Sequence, residues 1–110
     1  MGFLTIYVPD DLSERDYRRA LRAGPSTVSS RRRAYDEMLA SAGFTSVEEV
    51  PLTDEFLRTT RAWYYGRERY ATEIAAAEGD AGFQERQADS LAQLEAIEAG
   101  LLRRSLFIAH

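Results

Sequence analysis

Residues 35–52, YDEMLASAGFTSVEEVPL, decide how the rest of this chain is read. Ala34, Tyr35, Met38, Leu39 and Ala42 recur at the helical period and predict an amphipathic helix over 31–42. Gly43 stands where a left-handed helix stop belongs, and Phe44 is the apolar residue that such an ending packs. Residues 45–52 predict a strand. Pro51 cannot donate to a ladder, and Glu48 and Glu49 discourage further pairing, so this strand belongs at a sheet edge.

The chain ends in LLRRSLFIAH, which predicts a strand over 103–109. Leu106 and Ile108 face one way, Phe107 and Ala109 the other, as in a central strand covered on both sides. FLTIYV, residues 3–8, reads the same way: Phe3, Thr5 and Tyr7 lie on one face, Leu4, Ile6 and Val8 on the other. Pro9-Asp10-Asp11 stops it. Ser13 followed by Asp16 forms a variant capping box opening a helix over 14–23, which Gly24-Pro25 closes. Ser26 to Ser30 read as a loop ending in a helix cap. Thr53 or Asp54 caps a long helix to about Glu78; Gly79-Asp80 breaks it, and a second helix runs to Ala99 before Gly100. Residues 54–99 are therefore a helical hairpin.

Three strands result, two apolar on both faces and one carrying proline. The order first–last–middle puts the proline strand outside and the two-faced last strand inside. The first and middle strands are joined through helices and can run parallel. The last, inserted after a hairpin, is antiparallel to both. The expected fold is α/β, in an α+β-like form: a three-stranded mixed sheet packed by helices and a long helical hairpin, in one domain over 1–110.

Composition narrows the chemistry. The chain has 45% hydrophobic and 29% charged residues, values of a globular domain rather than a disordered one. Without cysteine there is no disulfide, thiolate metal site or cysteine nucleophile. The only histidine, His110, is the last residue and reads as a frayed terminus, so no histidine-based triad or metal site is expected. A net charge of −4 argues against a nucleic-acid surface, and Arg31-Arg32-Arg33 reads as a solvated helix start. All basic residues are arginine, which with the many alanines suggests a high-GC bacterial genome. No apolar run approaches the ~20 residues of a membrane span, and the N-terminus lacks a basic signal-peptide start. A cytoplasmic location is the default expectation.

This arrangement resembles the C-terminal part of class I S-adenosylmethionine-dependent methyltransferases, small-molecule type, whose sheet ends in strands five, seven and six. The matching stretches are GFLTIYV as strand five, AYDEMLASAGF with TSVEEVPLT as the last helix and strand six, and LLRRSLFIA as strand seven. The phrase LxxAGFxxVE, Leu39 to Glu48, is the most specific part. The resemblance implies an acceptor-substrate role for TDEFLRTTRAWYYGRERY, which looks like the helical insertion between the last two strands. The family's cofactor-binding half is missing: no glycines here have GxGxG spacing, and none leads from a strand into a helix. The expectation is a partial methyltransferase-like domain, not catalytic alone, with no cofactor site of its own. It would assemble through its bare first strand, residues 3–8, as a homodimer or with a cofactor-binding partner domain. A fragment of an active methyltransferase and a stand-alone small-ligand-binding protein are the alternatives.

Two places are candidate substrate contacts. Trp63, Tyr64, Arg67 and Tyr70 could line an acceptor pocket, with Arg67 taking a carboxylate or phosphate. The competing reading, favoured by helical spacing, packs Trp63 and Tyr70 between hairpin and sheet and pairs Arg67 with an acid. Tyr65 and Arg69 are expected in solvent. Asp10, beside Asp11, follows the first strand where α/β ligand sites gather, although turn chemistry accounts for it as well. Glu48 and Glu49 read as solvated edge charges.

Overall fold

A computed structural model of the chain describes residues 1–24 and 35–110. The expected loop of Ser26 to Ser30, the arginine run and the start of the helix placed over 31–42 fall outside those residues. The elements are β1 (Gly2–Tyr7), α1 (Glu14–Ala23), α2 (Tyr35–Ser41), β2 (Val47–Pro51), α3 (Thr53–Arg69), α4 (Ala71–Glu78), α5 (Asp80–Glu98) and β3 (Arg103–Ala109).

The sheet has the order β1-β3-β2, and β3 is antiparallel to both neighbours. β1 and β2 therefore run parallel to each other with β3 reversed between them, an α+β arrangement that matches the expected order. Met1 and Ala109 exchange backbone bonds of 2.8 and 2.7 Å. Antiparallel alternation then makes Phe3–Phe107, Thr5–Ser105 and Tyr7–Arg103 the hydrogen-bonded pairs of that ladder. On the other side Ser46 and His110 exchange bonds, and the Leu52 N–H donates to the Arg104 carbonyl. The backbone of β3 thus serves β1 with its odd-numbered residues and β2 with its even-numbered ones. Pro51 sits at a position whose N–H would point away from β3, so its missing donor removes no bond from the ladder.

Each face of the sheet carries a cluster. On one, Phe107 lies within 5.1–5.9 Å of the ring centroids of Phe3, Tyr7 and Tyr35, with Leu39, Phe44, Val47 and Ala109 around them. α2 reaches this face because it ends in a Schellman turn: the Phe44 N–H donates to the Leu39 carbonyl, the Gly43 N–H to Ala40, and Gly43 has φ +103°. On the opposite side Ala20, Phe56, Ala96, Ile97, Leu101 and Leu102 pack with Ile6 and Val8. α5 enters β3 through the same kind of turn at Gly100, φ +77°.

Local chemistry differs from expectation in three places. Ser13 caps α1 through a 3.2 Å bond from the Asp16 N–H, as the capping box predicts. At α3 neither Thr53 nor Asp54 caps; Leu52 holds the cap position without a side-chain bond, and the Thr53 hydroxyl accepts instead from the Arg104 N–H. The long helix expected to reach Glu78 is divided at Tyr70, whose backbone leaves helical geometry (φ −108°, ψ 30°). His110 is tied rather than frayed, its carbonyl accepting from Thr45 and Ser46. α4 packs chiefly on α5 and α3, so the hairpin projects from the sheet. A radius of gyration of 16.2 Å, against about 13 Å for a compact domain of ~100 residues, records that projection.

Phe107 is 2% exposed and packs against the rings of Phe3, Tyr7 and Tyr35. Phe107→Ala is expected to cost about 3–5 kcal/mol by cavity formation. Since a domain this size has about 5–15 kcal/mol in total, urea denaturation should find the variant close to unfolding.

Candidate binding surfaces

The hairpin is held by a buried polar network. Gln87, on α5, is 4% exposed. Its side-chain NH2 donates to Glu68 Oε1 at 2.8 Å and to the Tyr64 carbonyl at 3.3 Å, and its Oε1 accepts from Arg67 Nε at 2.8 Å. The two remaining arms of Arg67 grip Glu78 in a fork, NH1 to Oε1 at 3.1 Å and NH2 to Oε2 at 2.7 Å. The guanidinium also lies over the Phe83 ring, 5.4 Å from its centroid. Arg86 adds a second cation on Glu78 Oε2 at 3.0 Å. These bonds clamp α3, α4 and α5 together across the break at Tyr70. The hydrogen bonds from Arg67 hold the Glu78 carboxyl at about 2, well below its ordinary value of 4.5, and the same pairing raises the Arg67 guanidinium.

Beside this clamp runs an open groove of about 560 Å³, carried by α3 and α4. Its lining includes Arg58, Trp63, Gly66, Arg67, Tyr70 and Ile74. Trp63 is 68% exposed and Tyr70 53%. The structure therefore brings Trp63, Arg67 and Tyr70 together, and it corrects the reading in which Trp63 and Tyr70 pack hairpin against sheet. No sheet residue is among those lining the groove. Tyr64 turns aside: its ring packs edge-on against Tyr65, 5.1 Å between centroids. Arg67 is committed to Glu78 and Gln87, so an anion entering the groove would compete with a bidentate carboxylate already in place. Arg58 is the exposed cation of the groove's lining.

Asp10 lies elsewhere, in a hollow of about 140 Å³ where β1 ends. Tyr7, Tyr35, Asp36, Glu49 and Arg103 share it. Glu49 is more than an edge charge. Its Oε2 accepts from the Tyr7 hydroxyl and from the Ser105 hydroxyl, both at 2.7 Å, so one carboxylate ties all three strands. Burial, and then the bond to Glu49, push the Tyr7 phenol above its ordinary value. Tyr7 and Ser105 point to the same face, which strand alternation could have shown; the register that brings Glu49 to them could not be read from the sequence.

The third surface is the outer edge of β1. Because Phe3, Thr5 and Tyr7 turn their backbone groups to β3, those of Gly2, Leu4 and Ile6 point outward. Among the described residues no strand pairs with that edge. An open hollow of about 520 Å³ runs along it, lined by Leu4, Thr5, Ile6 and Arg104. Leu4 is 49% exposed.

No protein-family model matches the chain, and no curated protein matches it. Among the described residues no helix is long and apolar enough to cross a membrane. The glycines with positive φ, Gly43, Gly79 and Gly100, all follow helices. None of these three lies at a turn from a strand into a helix.

Two outcomes test the clamp. Gln87→Leu strands the Arg67 Nε–H and takes a donor from Glu68 Oε1, and should destabilise the chain by about 1–3 kcal/mol in chemical denaturation. The carboxyl of Glu78 is depressed in the folded state, so its contribution is whole above the ordinary value of 4.5 and is lost as pH falls towards 2. The melting temperature of wild type should exceed that of Glu78→Gln at pH 6, with the gap closing between pH 4.5 and about 2.

Proposed function

We propose that this chain is the acceptor-side end of a class I methyltransferase-type sheet, acting as an assembly module in the cytoplasm rather than as a catalyst on its own. The observation that carries this reading is the combination of strand order and edge. β3 lies antiparallel between β1 and β2, the terminal pattern of that fold, and the outer edge of β1 is where the remainder of such a sheet would begin. The backbone of Gly2, Leu4 and Ile6 faces outward there without a partner strand among the described residues. The second half of the reading draws on the glycine pattern: among the described residues no glycine leads from a strand into a helix. A second reading, a small-ligand-binding protein, draws on the groove of Trp63 and Tyr70, where an exposed aromatic pair flanks an apolar floor.

Titration calorimetry with S-adenosylmethionine should give no binding heat; a low-micromolar dissociation constant would defeat the proposal. Residue-resolved amide hydrogen exchange at submicromolar protein checks the edge. The N–H groups of Leu4 and Ile6 should exchange at least roughly tenfold faster than those of Phe3 and Thr5. Equal protection of all four would mean that the edge is already covered and would end the assembly reading. For the groove, a thermal-shift panel of aromatic carboxylates should raise the melting temperature of wild type but not of Trp63→Ala if the second reading holds.

A further inference from the structure

We infer that the strand pairing with β1 is β1 of a second copy of this chain, antiparallel about a two-fold axis at Leu4. The inference rests on the reading of β1 as an assembly edge and specifies its occupant. Its starting point is the contrast between the two edges of the sheet. The outer edge of β2 carries Glu48, Glu49 and Pro51, side chains that oppose further pairing. The outer edge of β1, GFLTIY, carries no charge and no proline. An uncharged strand can face its own copy without like-charge repulsion, whereas a charged edge could not.

Register singles out one pairing. In an antiparallel pair, hydrogen bonds form only between residues whose backbone groups point at the partner strand, here Gly2, Leu4 and Ile6. Placing Leu4 opposite its own counterpart puts Gly2 opposite Ile6 on both sides of the axis, so every outward group finds a partner. A shift of the axis by one residue leaves some of them unmatched. Side chains agree with this register. The two half-exposed Leu4 side chains meet on the same face, and Ile6, already packed into its own core, meets a glycine rather than a second bulky residue. Leu4 pairs with Leu106, and Leu106 with Val50, so the apolar row Val50–Leu106–Leu4 continues across the axis into the second copy. The hollow along Leu4, Thr5, Ile6 and Arg104 lies where the incoming strand would sit. The product is one six-stranded sheet with the guarded β2 strands at its two ends, which removes the open edge and stops growth at two copies.

The absence of cysteine makes a clean test. Leu4→Cys places two thiols in a hydrogen-bonded pair about 5.5 Å apart between Cα atoms, within disulfide range. Under mild oxidation it should give a disulfide-linked dimer, while Glu48→Cys on the guarded edge should not. Light scattering of wild type at about 100 µM, a level suited to a small transient interface, should show twice the monomer mass. Leu4→Glu should weaken association by roughly tenfold or more with an unchanged circular dichroism spectrum. Leu4→Pro is the second variant: its lost N–H points away from β3, so the fold should persist as a monomer. A wild-type monomer at this concentration, equal cross-linking at positions 4 and 48, or dimers that survive both substitutions would each overturn the inference. If wild type is monomeric while the Leu4 and Ile6 amides still exchange fast, the second copy is excluded and the assembly edge stands. If those amides are protected in dilute protein, the edge reading itself has failed.

Discussion

Everything in this fold depends on β3 being paired along both edges, with its Ser105, Phe107 and Ala109 face buried. Its odd-numbered backbone groups bind β1 and its even-numbered ones bind β2. Its Ser105, Phe107 and Ala109 side chains lie under α2 and the aromatic rings, while Leu101 and Leu102, just before it, anchor the α1–α3–α5 side. Without cysteine, no disulfide ties the N-terminal third of the chain to the rest. β3, last in sequence, is what holds β1 and β2 in one sheet. The Glu49 carboxylate reinforces the same junction by accepting from Tyr7 and Ser105 at once. A polar tie of this kind is local and directional, and it fixes register where apolar packing alone would tolerate a slip.

The hairpin obeys a different constraint. Two helices and a short third one can cover only one stripe of each other, so the apolar and aromatic residues of α3 divide. Phe56 and Thr60 are buried, and Arg67 and the Tyr64 carbonyl meet Gln87 of α5. Trp63 and Tyr70, one heptad apart on a neighbouring stripe, are left facing the groove. With so little apolar burial available at its far end, the hairpin relies on Gln87 and the Arg67–Glu78 fork. Among the described residues no buried side-chain nitrogen or oxygen lacks a partner, which is the condition under which such a polar network holds structure rather than weakening it. The same commitment leaves Arg58 as the exposed cation in the groove's lining.

Much of the sheet was legible in the sequence: the two-faced apolar β3 lies inside, β2 with Pro51, Glu48 and Glu49 lies outside, and Gly43-Phe44 marks a Schellman turn, rules that act on neighbours a few residues apart. β1 is equally apolar on both faces but lies at an edge, and its place followed from strand order and not from its composition. The groove was only half legible. Helical periodicity groups Trp63 with Tyr64 and Tyr70, but it does not say how wide the covered stripe is, and that width is set by the partner helix. The division at Tyr70 carried no glycine or proline to reveal it. Glu49 was read as an edge charge because its neighbours, Tyr7 and Ser105, are 42 and 56 residues away in sequence. Contacts of that range follow from register, and register follows from the assembled sheet.

The two edges of the sheet show why the assembly reading is weighted towards β1. Natural sheets spend charge and proline on edges that must remain open, because an unguarded row of N–H and C=O groups recruits strands indiscriminately. On β2 those devices are present, and Pro51 is placed where it blocks addition without weakening the ladder to β3. On β1 the same positions hold Gly2, Leu4 and Ile6. A chain whose two edges both faced solvent throughout its life would be expected to guard both. The asymmetry is accounted for if β1 is covered when the protein works, and the apolar row through Leu4 and Leu106 is then the middle of a sheet rather than its margin.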